Sequence, residues 1–280
     1  MGLRGVTELV AAAVATLSLA SCTEPVNPDS TPGDNTSAAE SVDSLIPAAT
    51  PDAQAGKPAP RPGAASLAAS PPTRVNPPAV KADRARTVKR IKTKNRVVFF
   101  TIDDGGVEEA ATARLLARKG IPVTAFLTEE YVSQNPEFYQ GISKTDKQVI
   151  QNHTVTHPQL PLLNLAGQEA EICGANRWLS DLYGKKPWLL RPPYGESNAT
   201  TEVAARNCGL DYVVLWTINM PEGGKGRFQY SQGDELAPGD IILAHWRPNL
   251  HQDLKRALRE IRRQGFQVAA LQNYLPRVQR

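Results

Sequence analysis

Residues 97–105 read Val-Val-Phe-Phe-Thr-Ile-Asp-Asp-Gly, an apolar run that ends in two adjacent carboxylates and a glycine. Four consecutive large apolar side chains leave no polar face, so the run suits a strand covered on both sides, as in a parallel sheet. Carboxylates at the end of such a strand are costly unless each finds a partner. Successive strand side chains point to opposite sides, so Asp103 and Asp104 should meet different surroundings. Asp-Gly is also a common turn dipeptide, and these nine residues alone suit a strand-end turn equally well.

Strand-like and helix-like segments alternate from here onward. Strands are expected at Val97–Ile102, Pro122–Leu127, Gln148–Asn152, Trp188–Leu190, Tyr212–Ile218, Asp240–Ala244 and Phe266–Ala270. Helices are expected at Glu108–Arg118, Val132–Gln140, Asn164–Tyr183, Ala199–Asn207 and Gln252–Gln264, several stopped by a glycine. This alternation predicts a parallel sheet of about seven strands with helices outside it. Asp103-Asp104, His153, Arg191, Trp216 and His245 each sit at or just past the C-terminal end of a strand. In a (β/α) barrel that end is the active-site face, which favours a barrel over a doubly wound sheet.

The N-terminal third has a different composition. Residues before Phe99 include no aromatic side chain, and over half of the 23 prolines precede residue 82. Residues 1–22 read as a signal peptide: Arg4, then an uncharged Ala- and Leu-rich run from Leu9 to Ala20, too short to span a bilayer. Glu8 is an unusual charge beside that run. Leu19-Ala20-Ser21-Cys22 resembles a bacterial lipobox, which implies cleavage before Cys22 and lipid attachment to its thiol. An ordinary secretory signal with an incidental cysteine is the alternative. Residues 23–94 carry no apolar period and are expected to form a disordered tether, leaving 95–280 as the folded domain. A coil of some 70 residues has a mean reach of roughly 45–50 Å. The net charge of +4 owes much to a basic run from Lys81 to Arg96, read as a solvated linker, and no nucleic-acid partner is expected.

Asn152-His153-Thr154-Val155-Thr156-His157-Pro158 holds two of the chain's four histidines. At a spacing of four they would share one face of a helical turn and could share a metal, with Asp104 as third ligand. Thr154 follows the first histidine, so this is not the His-Glu-x-x-His of zinc peptidases. Two imidazoles and a carboxylate suit catalytic zinc and also non-haem iron. Two surface histidines are the bland alternative. Arg191-Pro192-Pro193-Tyr194-Gly195 follows a strand, and an arginine fork beside a carboxylate would hold it ionised and oriented.

In order along the chain, Thr-Ile-Asp-Asp-Gly, His-Thr-Val-Thr-His, Arg-Pro-Pro-Tyr-Gly, Trp216 and Leu-Ala-His245 resemble the polysaccharide deacetylases, the NodB-homology enzymes of carbohydrate esterase family 4. The resemblance covers about residues 96–275. It implies a deformed (β/α)7 barrel that removes acetyl groups from sugars with one divalent metal, zinc first, with cobalt, nickel or manganese as alternatives. It implies that Asp104, His153 and His157 ligate that metal. Asp103 would be the general base, oriented by Arg191, and His245 the acid that protonates the departing amine. The backbone N–H of Tyr194 would hold the oxyanion, and Trp216 and Leu243 would line the acetyl pocket. The implied partner is an acetylated polysaccharide of the cell wall or a chitin-like glycan. The protein would be a monomer at the outer face of a bacterial membrane, anchored by lipid, or else extracellular. An O-acetyl esterase and a catalytically silent glycan-binding module are the rivals.

Departures from that pattern are Ile102 for a usual Phe, Gly106 for a frequent Pro, and Asn219 where the family often has Asp. An amide at 219 carries no charge to support an imidazolium at His245. Cys173 and Cys208 remain after Cys22. Two such thiols outside the cytoplasm are expected to pair, with two separately buried cysteines as the alternative.

Overall fold

A computed structural model describes residues 83–223 and 227–278. The expected signal peptide, Cys22 and the tether up to residue 82 lie outside the described residues. Among those described, the strands are β1 (Arg86–Val88), β2 (Val97–Asp104), β3 (Val123–Leu127), β4 (Gln148–Asn152), β5 (Leu189–Leu190), β6 (Tyr212–Val214), β7 (Ile218–Asn219), β8 (Gln229–Tyr230), β9 (Ile241–His245) and β10 (Gln267–Val268). The helices are α1 (Ala110–Lys119), α2 (Glu129–Val132), α3 (Pro136–Gln140), α4 (Leu165–Tyr183), α5 (Ala199–Asn207) and α6 (Leu250–Arg263). No described helix is long and apolar enough to cross a membrane.

The strand order is β1-β6-β5-β4-β3-β2-β9-β7-β8, with β10 beside the start of β2. From β6 to β7 the neighbours are all parallel, giving seven parallel strands. β6 and β7 stand at opposite ends of that run, yet residues 215–217 alone separate them in the chain. The sheet must therefore curl until its two ends meet. It is a deformed (β/α) barrel, closed by the chain rather than by a ladder of hydrogen bonds between β6 and β7.

Strand alternation divides the core into two layers. Val98, Phe100 and Ile102 of β2 pack in the layer that also holds Leu116 of α1 and Leu254, Leu258 and Ile261 of α6. Phe99, Phe126, Leu189, Val214 and Ile241 fill the barrel interior. Local signals explain the helix limits. Asn164 caps α4 by accepting from the Gly167 N–H, and a capping box of Asn198 and Thr201 starts α5. Gly120 and Gly184 end α1 and α4 in the left-handed conformation.

Four expectations about the extent of the fold and its elements are corrected. The fold begins before residue 95, because β1 pairs in parallel with β6 and Ala85 and Ile91 are buried. Part of the basic run is consequently structural: Arg90 pairs with the buried Asp240 at 2.6 Å, and Arg96 donates to the Gln264 and Gly265 carbonyls. The strand expected over Tyr212–Ile218 is two strands, broken at Leu215–Thr217 where the chain crosses between the sheet ends. The helix expected over Val132–Gln140 is two short ones, since Pro136 suits a first helical turn better than an interior.

Cys173 of α4 and Cys208, which caps α5, form a disulfide across 35 residues. It joins two helices packed against each other outside the sheet. Loop-closure entropy sets its contribution at up to about 4 kcal/mol. Reduction, or the Cys173→Ser/Cys208→Ser pair, should lower the urea midpoint while leaving the far-ultraviolet circular dichroism unchanged. An identical midpoint with and without reductant would count against it.

Candidate active site

Asp103 and Thr101 share one face of β2, and both meet the same guanidinium nitrogen of Arg191. Arg191 Nη1 lies 3.1 and 3.0 Å from the two Asp103 carboxylate oxygens and 3.1 Å from the Thr101 hydroxyl. Its Nε donates to the Val214 carbonyl at 2.6 Å. The fork lies 4.6 Å from the Phe126 ring centre and 5.3 Å from that of Trp216. Arg191 is fully buried and Asp103 nearly so. Burial pulls the guanidinium pKa down from its ordinary value, and the charge and hydrogen bonds of Asp103 offset only part of that. An arginine starts high enough to remain a cation here.

Asp104 leaves the strand conformation, with φ at 76°. Its carboxylate oxygen lies 3.3 Å from His153 Nε2 and 3.4 Å from His157 Nε2. Burial opposes its ionisation, but hydrogen bonds from protonated His153 and His157, with the charges of His153 and His245, hold the carboxyl well below the usual carboxylate range. The three potential ligand atoms lie within 4.8 Å of one another.

The two histidines do not share a helical turn as expected. Residues 153–157 form a loop in which Thr154 and His157 are left-handed, at φ 74° and 62°. Hydrogen bonds hold that shape. Asn152 accepts from the Thr154 N–H at 2.9 Å, and Glu171 of α4 accepts from the Val155 and Thr156 N–H groups at 3.0 and 2.9 Å. The Thr128 hydroxyl donates to the His153 carbonyl at 3.1 Å.

The donor chemistry fits a cation. His153 Nδ1 lies 2.6 Å from the Arg191 carbonyl, which can only accept, so Nδ1 carries the proton. In the neutral ring Nε2 then presents its lone pair to the Asp104 oxygen, as His157 Nε2 can from the other side. Lone pairs converging on a carboxylate repel unless a cation or a proton lies between them. A backbone carbonyl fixing the tautomer of a metal-facing imidazole is the usual arrangement for such ligands.

His245 ends β9 and lies opposite Asp103 in the parallel register of β2 and β9. Leu243, one period earlier, is buried and lines a cavity of about 760 Å³ together with His245 and Asn219. Tyr194 is left-handed at φ 60°, its ring 4.8 Å from that of His157. Its N–H makes no hydrogen bond among the described residues. Gly195 follows at φ 72°, and a Cβ there would come within 2.7 Å of the Trp216 ring, so the turn needs glycine on both counts. The Asp103, Asp104, His153, His157, Arg191, Tyr194, Trp216, Leu243 and His245 positions thus gather at one end of the barrel. Cys173 and Cys208 lie apart from them, between helices.

A family model described as polysaccharide deacetylase matches residues 90–213. An uncharacterised protein of Streptomyces coelicolor is 36% identical over 71% of this chain and 82% of its own length. The chain belongs to the polysaccharide deacetylase family. Among its relatives are a bifunctional xylanase/xylan deacetylase of Cellvibrio japonicus, 31% identical over 53% of this chain and 22% of that protein. Another is a peptidoglycan-N-acetylglucosamine deacetylase of Bacillus cereus, 29% identical over 55% of this chain and 57% of that one. The solved structure of a peptidoglycan N-acetylglucosamine deacetylase, Bc1960, shares the fold with a TM-score of 0.60 at 23% identity, over 70% of this chain and 96% of that one.

Several residues that shape this candidate site were not singled out from the sequence. Thr101 was findable, since it is one strand period before Asp103. Glu171 and Thr128 were not, because their partners lie 15 to 25 residues away in the chain. Glu222 was missed too; its Oε1 lies 3.5 Å from His245 Nδ1.

Two outcomes follow for the site. Arg191→Leu leaves Asp103 buried without its partner and should cost about 3–5 kcal/mol, read from denaturant unfolding, with much of it recovered in the Arg191→Leu/Asp103→Leu pair. His153→Ala or His157→Ala should drop the divalent-metal content of dialysed protein from about one per chain to near background. Elemental analysis checks this, and undiminished content would remove these histidines as ligands.

Proposed function

We propose that this chain is a zinc-dependent deacetylase of an N-acetylated glycan, with peptidoglycan as the first candidate and chitin-like oligomers next. The supporting observation is the separation of duties between two adjacent carboxylates. Asp103 is engaged by Arg191, while Asp104 meets two imidazoles. A pure glycan-binding surface has no use for a buried, cation-held base beside a histidine on the next strand.

A divalent cation held by Asp104, His153 and His157 would supply Lewis acidity, lowering the pKa of water and stabilising charge that develops on oxygen. The chain's own residues account for the remaining work. Asp103, held by Arg191, accepts the proton of the attacking water. The Tyr194 N–H donates to the oxyanion as the carbonyl carbon becomes tetrahedral. Leu243 and Trp216 enclose the acetyl methyl. His245 donates a proton to the amine as the carbon–nitrogen bond breaks, leaving acetate and a free amino sugar. An amide has a poor leaving group, so base and acid are both needed.

An O-acetyl esterase is the second reading, favoured by the relative named as a xylan deacetylase. The lipobox-like Leu19-Ala20-Ser21-Cys22 supports a lipid-anchored protein working on the wall outside a bacterial membrane. The test is acetate release from peptidoglycan, N-acetylglucosamine oligomers and acetylated xylan, with metal content determined on the same sample. Release from the first two, abolished by Asp103→Asn without loss of metal, is expected. Release from xylan alone favours the esterase, and none from any substrate with zinc, cobalt, nickel or manganese would sink the enzymatic reading.

A further inference from the structure

His245 stands at the end of β9, its side chain 40% exposed, and an isolated imidazole there could rotate and exchange tautomers freely. The position that the family resemblance pairs with it, Asn219, does not reach it. Asn219 sits opposite Leu243 in the β7–β9 ladder, two residues short of His245, and makes no hydrogen bond to it among the described residues. β7 ends there, and the chain turns back at Pro221 and Glu222 toward the mouth of the barrel.

We propose that Glu222 is the positioning residue for His245 and supplies the carboxylate that Asn219 lacks. The inference rests on the deacetylase reading for its kinetic consequence, not for its geometry. Glu222 Oε1 lies 3.5 Å from His245 Nδ1, an ion-pair separation slightly longer than a hydrogen bond. The turn that carries Glu222 is anchored. Arg247, two residues beyond His245, donates to the Pro221 carbonyl at 3.1 Å and lies 3.9 Å from Glu222 Oε1. Arg247 is itself held at 2.5 Å by Asp253, a buried carboxylate of α6 that also pairs with Arg256. The chain Asp253–Arg247–Glu222–His245 thus ties the imidazole to a helix of the outer layer. The other charged groups near the ring are Asp103, opposite it in the ladder, Asp104, and Arg227, which lines the same cavity as His245 and Glu222.

A carboxylate facing Nδ1 selects the tautomer with its proton on Nδ1 and leaves Nε2 as the atom that gains and gives the catalytic proton. Glu222 is exposed to solvent, so its effect should be smaller than that of a buried triad carboxylate.

The test uses full-length, metal-loaded protein and Glu222→Gln, which keeps shape and removes charge. With an N-acetylglucosamine oligomer, kcat should fall about tenfold with KM within about twofold. With 4-nitrophenyl acetate, whose leaving group departs without a proton, the rate should stay within about twofold. Long-range proton–nitrogen spectra should show the neutral His245 ring moving from Nδ1–H toward Nε2–H in the variant. Unchanged amide hydrolysis, an equal loss on both substrates, or an unchanged tautomer signal overturns the proposal. A wild-type protein that releases no acetate from the oligomer overturns the deacetylase reading and this kinetic role together, which separates that failure from an active wild type with an indifferent variant.

Discussion

The buried ion pair of Asp103 and Arg191 is the constraint on which the rest of this structure depends. A guanidinium taken wholly out of water loses several kcal/mol of solvation at least. Here the loss is answered from many directions. Asp103 and Thr101 come from β2, Phe126 from β3, and Val214, Leu215 and Trp216 from the end of β6 and the crossing that follows. Arg191 itself follows β5. No flat sheet could bring these groups around one side chain, because β2 and β6 stand four strands apart in the order. The curl of the sheet and the satisfaction of Arg191 are therefore one event. Breaking either partner would leave the other charge stranded in the barrel.

Backbone strain concentrates around the same point. Five described non-glycine residues have positive φ, and four of them, Asp104, Thr154, His157 and Tyr194, belong to the site. Each such conformation costs on the order of 1 kcal/mol or more. The surroundings maintain them: Asn152 and Glu171 hold the histidine loop, and the prolines before Tyr194 restrict its turn. The strain has a geometric result. A regular strand would send the Asp104 side chain into the helix-facing layer with Ile102. The left-handed turn brings it instead to His153 and His157, so two neighbouring carboxylates serve two separate partners.

The two loops that follow β2 and β9 are also joined to each other. Glu109, which caps α1, accepts from Thr112 and lies 2.6 Å from His251 Nδ1 at the start of α6. With Arg247 and Asp253 nearby, the first turn of α6 steadies both the segment after the paired aspartates and the turn that carries Glu222. The outer helices thus do more than cover the sheet; they set the positions of loops at the C-terminal ends of its strands.

Much of this was legible in the chain, for local reasons. The apolar run before Asp103, the glycine stops and the alternation of strand-like with helix-like segments are short-range signals, and they located most strands and helices. The residue types after each strand marked a group of candidate metal-ligating and proton-transferring side chains. The loop geometry of His153 and His157 was not legible, because Glu171 of α4 imposes it from 15 and 16 residues away together with the neighbouring Asn152. Nor was β1, whose three residues look like linker until β6 lies alongside with unpaired backbone groups. The substitution at Asn219 looked like a loss of support for His245, since the return of Glu222 depends on where β7 stops and how Arg247 holds the turn. By itself the sequence determined which side-chain types stand at the strand ends, because residue identity and strand alternation are properties of the chain. Only the tertiary structure decided which carboxylate meets which partner, because that depends on the curl of the sheet and on contacts between residues far apart in sequence.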